Sequence, residues 1–520
     1  MSIEMIEQVD RRPSTQETKI FQIGDLELIQ GGMGVGVSNW ELANAVACAG
    51  EQLKKRTLGV VSGTGAAILM ASRLQKGDEN TLRALRAFPF PSVAWEIVQR
   101  YERGSTTLPR KPELLIPRSN KPEALEARDR AAKEIVVANF CEVWLAKHDK
   151  NNKPHGGPIG INWLEKVQMP RLPEIYGAML AGVDVVLMGA GIPKQVPGVL
   201  NSLAKNEEAR YLIDVINDPT GHEMRFDPKN LFPGVGPLKS PKFLAIISSD
   251  TLAAYLHRTV EGVDGFVVEG PTAGGHNAPP RAKEQKLNEE GEPIYGERDK
   301  PNLDKIREFG NPFWLAGGYS GPEKLRKAQE TGAKGVQMGS AFALSEESGF
   351  LPEEVKERMR RLLYNGDLRV LTSAIASPTG YPLQIAQVKE TLSDPKVYGI
   401  REKRRVCTYG YLDVPRRNEE GKLEFICPAE PVEAYIAKGG IKANTVGRMC
   451  LCTGLAAAVG CARKGEPIVI TFGKGDYQFI RGLMDGPGGR YSARDVVEAI
   501  LSPEKYAERR AKFMYLMRVK

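Results

Sequence analysis

The sequence predicts an α/β chain built on a (β/α)₈ TIM barrel, with an inserted helical segment and a cysteine-containing C-terminal extension. Three observations carry that prediction. Eight short apolar runs end in glycine or a polar turn, helix-like stretches lie between many of them, and glycines gather at the run ends. The runs are "LELIQGGM" (26–33), "LGVVSG" (58–63), "PIGINW" (158–163), "VDVVLMGAG" (183–191), "KFLAIISS" (242–249), "DGFVVEG" (264–270), "PFWLAGG" (312–318) and "KGVQMGSAF" (334–342). Continuous apolar runs of this length suit strands covered on both faces, as in parallel sheets. A doubly wound open sheet is the alternative, and the count and the glycine placement favour the barrel.

Between the runs, "SNWELANAVACAG" (38–50) predicts a helix with Ser38 as its cap and Gly50 as its stop. "SDTLAAYLHRTVEG" (249–262) and "GPEKLRKAQETGA" (321–333) have the same form. Two insertions interrupt the scheme. Residues 76–150 contain a charged helical segment, and residues 281–304 are polar and turn-rich. The second follows the sixth strand directly, so it is expected over the C-terminal face of the barrel as a lid. The resulting division is a tail over 1–20, a barrel over 21–385 and an extension over 386–520.

Composition excludes several classes. Hydrophobic residues make up 42% and charged residues 26%, which is ordinary for a globular chain. The net charge of +8 is spread among acidic residues, with no Lys/Arg block to hold nucleic acid or a membrane surface. The polar N-terminus "MSIEMIEQVDRRPSTQE" carries neither a signal peptide nor a transmembrane run, so a cytoplasmic location is expected. The expected partner is a small-molecule substrate, with self-association into a homo-oligomer left open. Seven cysteines in such a chain are expected as thiols or metal ligands.

The chemistry gathers at strand ends. Gly317 and Gly318 close the seventh run, and Gly339 and Ser340 close the eighth, each before a helix. In a barrel these two loops commonly bind phosphate. "IQGGMGVG" at the first run does not fit G-x-G-x-x-G cleanly, so a nicotinamide-binding Rossmann unit is rejected. "VVEGPTAGGHNAPPR" (267–281) places His276 behind two glycines at the end of the sixth run, where backbone can approach a ligand closely. The other histidines, His148, His155, His222 and His257, lie in polar or helical settings and read as structural or solvent-facing. "VITFGKGD" near residue 473 has a Gly-Lys-Gly without the Walker pattern and reads as a segment docking the C-terminus onto the barrel.

Four stretches together carry a resemblance: "LIQGGMGVGVSNWELANAVACAG", "DGFVVEGPTAGGHNAP", "PFWLAGGYSGPEKLRKAQETGAKGVQMGSAFALSEES" and "SPTGYP". They resemble the nitronate monooxygenase (2-nitropropane dioxygenase) family, which is related to the FMN-type enoyl-acyl carrier protein reductases, over roughly residues 20 to 385. The resemblance implies a TIM barrel with non-covalent FMN. It implies that Gln30, Gly31, Gly32 and Met33 line the flavin ring and that Asn162 hydrogen-bonds toward it. It places Gly274, Gly275, Gly317, Gly318, Gly339 and Ser340 around the ribityl phosphate and makes His276 the catalytic residue. The chain departs from the family at "NAPPR" after His276 and at Tyr381, where related sequences often carry arginine. The implied activity is FMN-dependent oxidation of a nitronate-like or carbon-acid substrate. The alternatives are an NAD(P)H-dependent flavin enoyl reductase and a non-catalytic flavin- or metal-binding interaction protein.

Five of the seven cysteines fall in the extension, at 407, 427, 450, 452 and 461. Cys-Pro at 427–428 and Cys-x-Cys at 450–452 are turn-like settings, and Cys407, Cys427, Cys450 and Cys452 are the candidate ligands of a zinc ion or an iron–sulfur cluster. The alternative is a set of buried apolar thiols. Cys48, Cys141 and Cys461 lie on helix-like patterns or apolar surroundings and read as core.

Overall fold

The computed structural model describes residues 21–282, 286–350, 352–475, 477–508 and 511. The expected tail over 1–20 lies outside them. Eight parallel strands close on themselves: β1 (Leu28–Gln30), β2 (Thr57–Ser62), β3 (Ile159–Leu164), β4 (Val185–Gly189), β5 (Lys242–Ile247), β6 (Gly265–Glu269), β7 (Phe313–Ala316) and β8 (Gly335–Met338). All eight apolar runs are these strands. The ring shuts where β1 pairs with β8, Leu28 opposite Val336, and with β2, Ile29 opposite Leu58.

Strand residues alternate between two destinations, because side chains of a strand point to opposite faces. Ile29, Leu58, Val60, Val185, Leu187, Leu244, Val267 and Trp314 fill the barrel interior. Leu28, Val61, Ile161, Val186, Phe243 and Phe266 face the surrounding helices. Trp314 is fully buried, and its indole N–H donates to the Leu26 carbonyl at 2.8 Å, so the largest interior ring leaves no polar atom unpaired.

The first helix runs Trp40–Gln52 and is capped by Asn39, whose side chain accepts from the Leu42 amide at 2.9 Å. The expected cap, Ser38, is occupied elsewhere. Its hydroxyl accepts from the Met33 amide at 2.9 Å and donates to the Gly31 carbonyl at 3.0 Å, which fastens the turn after β1. The helix also passes Gly50, whose missing side chain lets it lie against Thr57. The 76–150 insertion supplies helices Glu79–Ala87 and Pro91–Arg100 and the long helix Pro122–Lys147, which packs on the barrel wall.

After β8 the chain leaves the barrel. It forms a helix (Glu353–Asn365), strands Val370–Ser373 and Leu383–Ala386, a hairpin (Val414–Arg417 and Leu423–Ile426) and a helix (Leu451–Ala458). It then returns. The helix Ala493–Leu501, held by a capping box between Ser492 and Asp495, packs against both Trp40–Gln52 and Pro322–Glu330. That is the slot of the helix that follows the last strand of a barrel, so residues 341–492 are an excursion made before the helical ring is completed. A hairpin not anticipated from sequence (Ala209–Val215 and Asp218–Phe226) ties this excursion down. Ile216 exchanges backbone hydrogen bonds with Pro415 and Arg417, and Arg417 pairs with Asp218 at 2.5 Å. Among the described residues, no helix is long and apolar enough to cross a membrane.

Candidate active site

The C-terminal ends of the strands surround a cavity of about 260 Å³. Gly31, Gly32 and Met33 line it after β1, and Asn162 lines it from β3. Gly274, Gly275 and His276 follow β6, Gly317 and Gly318 follow β7, and Gly339 and Ser340 follow β8. Gln30 stands apart. It is fully buried and does not line the cavity, and its side chain bonds Gly31, Ser38 and the Val60 amide, bracing the turn that does.

Two glycines show why these turns need no side chain. A Cβ at Gly32 would lie 2.3 Å from that of Asn162. Gly317 has φ +84°, and a Cβ there would lie 2.9 Å from the Ala273 amide nitrogen. The turns after β6 and β7 therefore lie backbone against backbone, in a conformation that L side chains rarely adopt.

His276 is placed by a strand pairing. Gly275–His276 pairs antiparallel with Leu383–Ala386, with His276 opposite Leu383, and the Asn277 amide donates to the Pro382 carbonyl at 2.8 Å. The ring nitrogen Nε2 lies 2.7 Å from Ser377 Oγ, which lies 2.8 Å from Thr379 Oγ1. Among the described residues Nδ1 has no partner. Burial pulls the imidazole pKa down to about 4, so the ring is neutral at pH 7. A charged imidazolium donor, one of the two roles its ordinary pKa allows, is not what this environment favours.

Glu269, the last residue of β6, also faces the cavity. Burial raises its pKa to about 7. Glu269 is not among the residues that the sequence motifs single out. The available signal was an acidic residue ending an apolar barrel strand.

The Gly-Lys-Gly segment does more than dock. Phe472, Gly473, Lys474 and Gly475 line the cavity opposite the turn after β6. The Gly473 amide donates to Ser340 Oγ at 3.1 Å, and the Lys474 amide to the Thr272 carbonyl at 3.0 Å. The Lys474 ammonium pairs with Glu292 of the 281–304 insertion, and Glu292 also accepts from the Thr372 amide at 2.7 Å. The described part of that insertion is thus fastened beside the cavity. Tyr381 lies under the Lys166 ammonium, 5.5 Å from the ring centre. His148 and His155 bond backbone carbonyls and His257 bonds Asn311; with His222, all remain outside the cavity.

The cavity has features that suit a flavin mononucleotide. Backbone turns at β7 and β8, with the Ser340 hydroxyl, form a cradle that a Cβ would fill. Gln337 Oε1, on the cavity wall, is buried without a hydrogen-bond donor among the described residues. A ligand carrying both phosphate oxygens and a ring N–H answers both demands.

The four candidate cysteine ligands also meet, around a second, smaller cavity together with Asp413 and Glu430. All are free thiols. Among the described residues, no three His, Cys, Asp or Glu side chains stand as they would around a bound metal ion. Burial pushes the Cys407 thiol up to about 12 and the Asp413 carboxyl up to about 6. Cys461, expected on a helix, instead lies beyond the end of the helix Leu451–Ala458, outside this cavity and packed against apolar residues.

A closed parallel barrel with its cavity at the strand C-termini has the layout of a TIM-barrel protein whose site lies at its catalytic end. Residues 234–363 match the family model described as nitronate monooxygenase, a stretch that holds His276, Gly317, Gly318, Gly339 and Ser340. A curated probable nitronate monooxygenase from Staphylococcus haemolyticus (strain JCSC1435) is 33% identical over 113 residues. That match spans 22% of this chain and 30% of the relative. Among solved structures, FabK from Thermotoga maritima overlaps at 17% identity and a TM-score of 0.43, over 94% of this chain and 96% of its own. Nitroalkane oxidase from Streptomyces ansochromogenes overlaps at 15% identity and a TM-score of 0.42, over 94% and 97%.

Proposed function

We propose that this chain is an FMN-dependent oxidoreductase that oxidises a small carbon acid or its anion, of the nitronate type. The observation that supports it most is a half-buried His276, its pKa lowered so that the ring is neutral at pH 7, held at Nε2 by Ser377 beside a glycine-lined cavity. FMN, when bound, supplies a two-electron acceptor, and the protein's task is to position and to move a proton. The turns at Gly317–Gly318 and Gly339–Ser340 would hold its phosphate, and Gln337 would accept from its ring. Gly31, Gly32, Met33 and Asn162 would lie along the ring, with Gly274 and Gly275 admitting its chain.

In the tautomer whose Nε2–H donates to Ser377 Oγ, Nδ1 carries the free lone pair and acts as the base for a proton α to the substrate's electron-withdrawing group. Glu269, protonated below about pH 7, donates a hydrogen bond there and is charged above it. Leu383, paired with His276, and Phe472 give the cavity apolar surface.

Anaerobic mixing of the FMN-loaded chain with a nitronate, without nicotinamide, tests this reading. Bleaching of the flavin by the nitronate supports it. Bleaching by NADPH alone would replace it with an enoyl-reductase type of activity. A chain that takes up no FMN would remove the flavin assignment altogether.

A further inference from the structure

We propose that Cys407, Cys427, Cys450 and Cys452 bind a single zinc ion that fastens the excursion next to the His276–Ser377 pair. The four thiols come from three separate stretches. Cys407 precedes the hairpin Val414–Arg417/Leu423–Ile426 and Cys427 follows it directly, so hairpin closure brings the two ends together. Cys450 and Cys452 stand at the start of the helix Leu451–Ala458. All four line one cavity of about 10 Å³, the space of a single ion.

The surroundings are not those of plain core thiols. Asp413 shares the cavity, with its Oδ1 3.8 Å from Cys407 Sγ, and Glu430 accepts from the Cys427 amide at 3.2 Å. Thiols packed only for their apolar character have no need of charged groups beside them. Zinc with four thiolates carries a net charge of −2, and two cations stand by to offset it. The Lys111 ammonium is 3.9 Å from Cys407 Sγ, and Arg448 lies within electrostatic reach of Cys427. Glu430 is already neutralised by Lys438 at 2.6 Å. Sulfur ligands and this compact space select zinc over magnesium or calcium, which prefer oxygen. Among the described residues the four thiols do not yet stand around an ion, so binding draws them together and releases their protons to solvent.

The site is wired to the active site by backbone. Arg448 donates to the Ser377 carbonyl at 2.5 Å and to the Ile375 carbonyl at 2.7 Å, and the Met449 amide to the Ala376 carbonyl at 2.9 Å. Cys450 follows immediately, and Pro378 of the same loop lines the cysteine cavity. An ion held there sets the loop whose hydroxyl meets His276.

The test uses the full chain, purified under reducing conditions, with metal content measured and each thiol's alkylation mapped by mass spectrometry. Expected are about one zinc per chain and protection of these four thiols that is lost on chelation and restored by zinc chloride. Cys48 should alkylate equally in both states. Cys452→Ala should lose the zinc; should that variant fail to fold, the alkylation map of the unaltered chain decides. No zinc on purification and none taken up from zinc chloride overturns the proposal. So does iron with acid-labile sulfide, or a disulfide among the four. Flavin content is read on the same sample, so a failed flavin assignment leaves the zinc result standing.

Discussion

The cavity has two kinds of wall. The barrel wall, from β1, β3, β6, β7 and β8, offers mostly backbone: glycine turns packed so closely that Gly32 and Gly317 have no room for a side chain. The wall built by the excursion offers side chains and their supports: Ser377 beside His276, Leu383–Ala386 along its backbone, and Phe472–Gly475 across the opening. The difference separates two tasks. The barrel makes a general cradle, and the excursion decides what the one cavity histidine can do in it.

That division can be broken most severely at the histidine. His276→Ala should retain bound flavin while turnover falls by about 10²–10⁴-fold, the usual loss of a general base. Absorbance of the purified variant and steady-state kinetics check both halves together. Equal loss of flavin and turnover would merge the two walls into one function. On the barrel side, Gly317→Ala should cost about 1–2 kcal/mol through its left-handed backbone alone, and it should weaken flavin retention without changing the pH profile. Denaturant titration and fluorescence of released flavin measure it.

Ser377→Ala removes one hydrogen bond, about 1 kcal/mol, so kcat should drop about fivefold with KM little changed. Glu269→Gln sharpens the comparison through pH. The carboxyl's pKa of about 7 lies above its unfolded value, so the stability it contributes is whole at acid pH and is lost as pH rises through about 7. His276 has the opposite sign. Its pKa of about 4 lies below the unfolded value, so its contribution is present above about 6.5 and is lost as pH falls toward 4. The kcat/KM profile should therefore show one inflection near 7 that Glu269→Gln abolishes and another near 4 that it leaves. The smallest effect belongs to Arg369→Ala, which breaks an exposed pair with Glu290 of the 281–304 insertion. It should change stability by less than about 1 kcal/mol, because Glu292, bonded to Thr372 and Lys474, still holds that insertion down.

The sequence exposed the barrel and its glycine turns because both are local signals. Each strand is an apolar run ending in glycine, and His276 stands next to Gly275. What it hid was long-range. Lys474 meets the turn after β6 through Thr272, about two hundred residues earlier in the chain, and no neighbouring residue announces that. Glu269 was visible as an acid at a strand end, but the burial that raises its pKa is a property of the folded surroundings. Ser38 and Asn39 compete for one cap position, and only the turn after β1 determines which is free to fill it. The hairpin Ala209–Val215/Asp218–Phe226 alternates buried and exposed residues along its first strand, a pattern overshadowed by the barrel runs.

The return of the helix Ala493–Leu501 to the barrel wall has a consequence for how the molecule is made. A ribosome delivers β1 through β8 first, and Gly473 follows Ser340, its hydrogen-bond partner, 133 residues later. Until then the nascent barrel has an open groove between its first and seventh helices and a cavity missing one side. The side of the cavity lined by Phe472, Gly473, Lys474 and Gly475 is therefore the last to be made, long after the strands whose turns it faces.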